Sequence, residues 1–118
     1  MSKGETNIME WLKQHNIEFN HQYKFDNCRN PKTNKMLKYD FYIPHNNLLI
    51  EFDGQQHYRI GCKVRNHILT QEEIANIKFR DQVKTDYATT KGINLLRIPY
   101  TEINHINNIL QKEIYGKK

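Results

Sequence analysis

The chain has 118 residues, and its 18 Lys and Arg outweigh its 13 Asp and Glu to give a formal charge of +5 at pH 7. That length is enough for one domain with a real core and too short for two, so residues 1–118 are expected to form a single domain. The basic balance favours a polyanionic partner, nucleic acid first. No apolar run nears the roughly 18 residues of a membrane span, and the polar start has no signal-peptide core; a soluble, unsecreted, cytoplasmic protein is expected.

Ser2-Lys3-Gly4-Glu5 has capping-box spacing, and Ile8, Trp11 and Leu12 follow at helical intervals. Together they predict an amphipathic helix over residues 3–15, closed by Asn16. Ile17, Phe19, His21, Tyr23 and Phe25 alternate as in a strand, and the Asn-, Lys- and Pro-rich residues 26–36 read as a loop. Two further strands are predicted near 37–43 and 48–53, joined through His45-Asn46-Asn47 as a hairpin. Residues 55–69 show no clear period. Thr70-Gln71-Glu72-Glu73 is a second capping box, opening a long helix that Lys91-Gly92 ends. Ile93 to Ile98 suits a buried strand. Thr101 is placed as the cap of a last helix bearing Ile103, Ile106, Leu110 and Ile114.

The order is αβββαβα. A strand reached through a helical crossover must run parallel to its neighbour, so the expected class is α/β: a mixed four-stranded sheet flanked by helices. Cys28 and Cys62 form no C-x-x-C pair, and free thiols are expected.

The chemistry concentrates in Tyr39-Asp40-Phe41-Tyr42-Ile43-Pro44 and Leu48-Leu49-Ile50-Glu51-Phe52-Asp53-Gly54. Residues two apart in a strand share a face, so Glu51 and Asp53 point the same way. Antiparallel pairing puts Asp40 nearly opposite them, with Cβ atoms roughly 5 Å apart. Carboxylates so placed repel one another unless a proton or cation intervenes, and Mg²⁺ or Mn²⁺ takes oxygen ligands. Simple solvation of exposed acids is the ordinary alternative. Like charges opposed across a sheet are destabilising, which favours the metal reading for Asp40, Glu51 and Asp53.

His57 follows closely, and an imidazole suits proton transfer near neutral pH. Asp81 and Lys84 share a helical stripe with Ile74, Ile77 and Ala88. They form either an ordinary i,i+3 ion pair or a pair turned toward the acids. Glu5 either closes its capping box or faces the site. Basic residues gather in two stretches, Lys24, Arg29, Lys32, Lys35 and Lys38 in one and Arg59, Lys63 and Arg65 in the other. Flanking an acidic centre, they suit phosphates on either side of a scissile bond, with Gln56 ordering water or phosphate and Tyr58 stacking on a base.

The joint order of these pieces resembles the PD-(D/E)XK nuclease superfamily, and within it the very-short-patch repair endonucleases and the EDxHD homing endonucleases of phages and viruses. The likeness runs over nearly the whole chain. It is carried by Ser-Lys-Gly-Glu5, Tyr-Asp40-Phe-Tyr-Ile-Pro, Ile-Glu51-Phe-Asp53-Gly-Gln-Gln-His57-Tyr, Arg80-Asp81-x-x-Lys84 and Gly-Ile-Asn-Leu-Leu-Arg-Ile-Pro-Tyr.

The resemblance implies a restriction-endonuclease-like core and a Mg²⁺- or Mn²⁺-dependent endonuclease cutting DNA, by nicking or double-strand cleavage, in a prokaryote or phage-infected host. It implies metal held by Asp40, Glu51 and Asp53, proton chemistry at His57, further catalytic roles for Glu5, Asp81 and Lys84, and no organic cofactor. The superfamily's lysine two positions after the third-strand acid is Asp53 here. That departure favours the EDxHD variant and makes Lys84 the candidate substitute cation. Site-specific cutting at this size requires a homodimer or loop-borne recognition. The rival readings are an RNA- or branched-DNA-directed nuclease of the same fold and a non-catalytic nucleic-acid-binding module.

Overall fold

A computed structural model describes residues 1–54, 63–64 and 66–116, with only the backbone of Val64. Helix α1 spans Lys3–Gln14, β1 Asn20–Arg29, β2 Met36–Ile43, β3 Leu48–Asp53, β4 Lys63–Val64, β5 His67–Ile68, α2 Gln71–Lys91, β6 Asn94–Pro99 and α3 Ile106–Tyr115. Short 3₁₀ turns at Pro44–Asn46 and Tyr100–His105 follow β2 and β6.

Both capping boxes form. The Ser2 and Thr70 side chains accept from the backbone N–H groups of Glu5 and Glu73, whose carboxylates reach back to the caps. Gly92 ends α2 at φ 71°, a left-handed conformation that favours glycine.

The main sheet runs β1-β2-β3-β6; β1, β2 and β3 are antiparallel neighbours, and β6 joins β3 in parallel after the α2 crossover. The molecule is thus mixed α/β, a four-stranded mixed sheet flanked by helices. On one face Phe41, Ile43, Leu48, Ile50 and Ile98 pack against Ile8, Trp11 and Leu12 of α1 and Ile106 and Leu110 of α3. On the other, Leu37, Tyr39, Leu49 and Cys28 pack against Ala88, Val83 and Tyr87 of α2.

Four boundaries depart from the sequence pattern. Ile17 is no strand residue: its N–H closes on Leu12 O at 3.0 Å, wrapping the end of α1 after the left-handed Asn16. Strand β1 therefore starts at Asn20 and continues to Arg29, which shortens the expected 26–36 loop. Arg29 fixes that hairpin end by donating to Asp26 O at 2.8 Å and Asn34 O at 2.9 Å. Within the periodless 55–69 stretch, β4 and β5 form a small hairpin about left-handed Asn66. Thr101 caps no α-helix: Glu102 has non-helical φ/ψ, the chain stays 3₁₀ to His105, and α3 starts at Ile106.

Candidate active site

Asp40 lies where the face alternation of β2 fails. Tyr39 belongs to the α2 side of the sheet, yet Phe41 belongs to the α1–α3 side. Across β1 the pairs His21↔Phe41 and Tyr23↔Tyr39 bracket Gln22, which takes φ 59°. A left-handed residue other than glycine costs about 1–2 kcal/mol, and strain of this kind concentrates at functional sites. Here it lets two adjacent residues reach one group, which a regular strand forbids. Gln22 Nε2 donates to Glu5 Oε2 at 3.0 Å, and His21 Nε2 lies 3.4 Å from the same oxygen. Glu5 therefore serves both its capping box and a cross-element cluster.

The β2–β3 register, Phe41↔Ile50 carried one pair further, sets Asp40 across from Glu51. Side chains replace the ladder there. The Asp40 N–H donates to Glu51 Oε2 at 2.7 Å, and the Phe52 N–H donates to Asp40 Oδ2 at 2.8 Å. Lys84 reaches over from α2 and donates to Glu51 Oε1 at 2.6 Å; the two side chains are only 12% and 7% exposed. The hydroxyl of buried Tyr39 donates to Lys84 O at 2.7 Å, and its ring lies 5.3 Å from the Lys84 ammonium. The residue before Asp40 thus fixes the helical position that neutralises Glu51.

Asp53 is engaged separately. Arg97 lies beside Glu51 in the parallel register and sends Nη1 to Asp53 Oδ1 at 3.3 Å. Its Nη2 donates to Asp81 O at 3.0 Å and Thr85 Oγ1 at 2.8 Å. A cavity of about 370 Å³ opens here, lined by Asp53, Lys78, Asp81, Gln82, Thr85 and Arg97. Among the described residues, no group of three or more His, Cys, Asp or Glu stands close enough to hold a metal ion.

Burial, then the neighbouring Glu51 charge, pushes the Asp40 carboxyl up to about 7, with Glu5 adding to the rise; the Phe52 N–H and Lys84 oppose it. Glu51 is also raised by burial, against the pull of Lys84 and the Asp40 N–H. The ammonium contacts Glu51, so near neutrality the proton shared by this pair resides on Asp40. Burial raises Asp53 too, with Arg97 opposing.

Of the sequence-derived candidates, Asp40, Glu51 and Lys84 come together with Glu5 nearby, while Asp53 and Asp81 gather around Arg97. His57, Gln56, Tyr58, Arg59 and Arg65 lie outside the described residues. Lys35, Lys38 and Lys63 are exposed, whereas Lys32 sits over the Phe79 ring at 4.2 Å.

Sequence reasoning did not single out Gly4, Tyr39, His21, Gln22 or Arg97. Two of these carried a usable signal. A glycine inside a helix costs about 1 kcal/mol and so marks a close approach; a Cβ on Gly4 would fall 2.3 Å from the Phe52 ring. A charged residue in an apolar strand, as Arg97 is, demands a partner.

No family model matches the chain, and no solved structure matches it. Two viral proteins do. The chain is 32% identical over 73 residues to uncharacterized protein 033L of Invertebrate iridescent virus 3, a match spanning 62% of this chain and 36% of that protein. It is 30% identical over 81 residues to uncharacterized protein 307L of Invertebrate iridescent virus 6, spanning 64% of this chain and 40% of that one. The chain therefore matches less than half the length of either relative.

Proposed function

We propose that the protein is a divalent-metal-dependent endonuclease with a restriction-endonuclease-like core, hydrolysing phosphodiester bonds in DNA. One observation carries the reading: Asp40, half-buried, and Glu51, buried, are held face to face by each other's strands in a protein of net charge +5. The pairing carries the cost of a raised Asp40 pKa, which a bound cation would offset.

The donor set fits the ion. Mg²⁺ and Mn²⁺ take hard oxygens, and Mg²⁺ is commonly held by one or two carboxylates plus water and substrate phosphate, so Asp40 and Glu51 suffice without Asp53. When bound, such an ion neutralises charge developing on the phosphate and acidifies a water. The chain's own residues then have separable tasks. Lys84 holds Glu51 in its anionic form and offers a cation beside the phosphate, in place of the lysine that Asp53 replaces in the superfamily pattern. Glu5, with His21 and Gln22, borders Asp40 from the α1 side. His57 stays a candidate for proton transfer.

The test is incubation of supercoiled plasmid with Mg²⁺ or Mn²⁺. Wild type should relax or linearise it, and Asp40→Ala should not; cutting that survives in the variant removes the assignment. A second reading, a binding module without catalysis, has its own support. Glu51 is already paired with Lys84 and Asp53 with Arg97, and among the described residues no buried side-chain polar atom lacks a hydrogen-bond partner. Metal titration separates the two. Only the nuclease reading expects Mg²⁺ or Mn²⁺ to raise the melting temperature in a way that Asp40 substitution abolishes.

A further inference from the structure

Strand β2 pairs with β3 only from Phe41↔Ile50 to Ile43↔Leu48, whereas its pairing with β1 continues past Tyr23↔Tyr39 and Lys24↔Lys38 to Arg29↔Met36. Beyond Asp40 these two strands therefore form a two-stranded ribbon. One face is covered, with Phe25, Leu37 and Tyr39 packed against α2. Lys24 and Lys38, by contrast, are exposed and directly paired across the strands. Neither ammonium has an ion-pair partner among the described residues. Like charges opposed across a sheet destabilise it, so this pair costs the protein stability unless a polyanion lies against it. Two other basic residues of the hairpin are occupied: Arg29 pairs with Asp26 at 3.2 Å, and Lys32 covers Phe79.

The geometry points to the ribbon's outer face as the element that docks duplex DNA through its major groove, with Lys24 and Lys38 on backbone phosphates. The inference rests on the nuclease reading for its direction, because Asp40 stands at the ribbon's root and would meet the strand that the lysines grip. Shape selects the polymer. The B-form major groove, about 12 Å wide, admits a two-stranded ribbon whose strands lie about 4.8 Å apart. The A-form RNA major groove is too deep and narrow to be entered by side chains.

Binding measured by fluorescence anisotropy in EDTA tests this independently of cutting. The probes are a labelled DNA duplex, an RNA duplex of the same sequence and one DNA strand. The DNA duplex should bind tightest. The double variant Lys24→Ala/Lys38→Ala should make the fall of log affinity with log salt less steep by about 2, near 0.9 per lost phosphate contact. A charge-matched Lys13→Ala/Lys112→Ala control should leave the slope unchanged, and all three proteins should melt cooperatively. Equal or tighter binding of the RNA duplex, or a Lys24/Lys38 slope equal to the control's, overturns the ribbon. Wild type that binds none of the probes overturns the ribbon and the nucleic-acid partner together. If DNA is bound through the ribbon but plasmid is never cut with Mg²⁺ or Mn²⁺, the ribbon stands and the nuclease falls.

Discussion

Replacing Asp40 with Asn should stabilise the metal-free protein at pH 8. The native carboxyl is pushed up to about 7, chiefly by burial and by Glu51, against about 3.9 for an unfolded aspartate. The native state therefore binds this proton more tightly than the unfolded chain does. The group's contribution is most favourable below about pH 4, declines as pH rises, and is fully lost above about pH 7. Three pKa units correspond to about 4 kcal/mol at most. Solvent screening of a partly exposed pair reduces that, so about 2 kcal/mol is the expected penalty at pH 8. Asn imitates the protonated acid: its carbonyl can still accept the Phe52 N–H that Asp40 Oδ2 accepts at 2.8 Å.

Urea unfolding in EDTA at pH 5 and pH 8 checks the sign. Subtracting the variant from wild type at each pH cancels the other titrating groups. The variant should gain about 2 kcal/mol, roughly 8 °C in melting temperature, at pH 8 and about a third of that at pH 5, where the unfolded carboxyl is already ionised. Added Mn²⁺ should raise wild type and leave the variant unmoved. A variant less stable than wild type at pH 8, or a difference independent of pH, would refute the electrostatic account of the pair.

Lys84→Met should be the most damaging single change at the site, because it strands Glu51 beneath α2 without its 2.6 Å partner. A loss of about 3–5 kcal/mol is expected at pH 8, shrinking toward pH 5 as Glu51 takes up a proton, and the added change Glu51→Gln should restore much of it in urea titrations. Gly4→Ala drives a methyl to 2.3 Å from the Phe52 ring. It should cost about 1–3 kcal/mol and also weaken plasmid cutting, since the Phe52 N–H holds Asp40; thermal melts and the cleavage assay read both effects.

The fold was legible where local chemistry and tertiary structure agree. The two capping boxes, Gly92, and the alternation through Phe41 to Ile43 each state in a few residues what the whole chain does. Boundaries failed where a tertiary contact overrode a pattern. Ile17 alternates correctly with Phe19 but is claimed by the end of α1, and Asp26 to Arg29 look like loop until Arg29 binds the hairpin end. The Asp40–Glu51 opposition could be read because hairpin register depends on sequence spacing. That Lys84 turns toward the acids is one of the two readings its helical stripe offers; that its partner is Glu51, and that Arg97 tethers Asp53, could not be read, since each depends on how α2 is set across the sheet.

That placement explains why the third carboxylate parts from the other two. In a parallel pair Arg97 lies beside Glu51, and a single guanidinium on that face could have served either acid. Lys84 already occupies Glu51 Oε1, so Arg97 turns to Asp53 and anchors itself on Asp81 O and Thr85 Oγ1 of α2. Two cations, one from α2 and one from β6, thus sort three acids into a paired centre and a separate tether. Lys84 ties α2 to Glu51, Tyr39 binds Lys84 O, and Arg97 binds Asp81 O and Thr85 Oγ1 to either side of it, so the helix is held against the sheet by the groups that set the charge of the site. A shift of α2 would move the charge balance of Glu51 and Asp53 together, so perturbing the helix should alter both acids even where neither is touched.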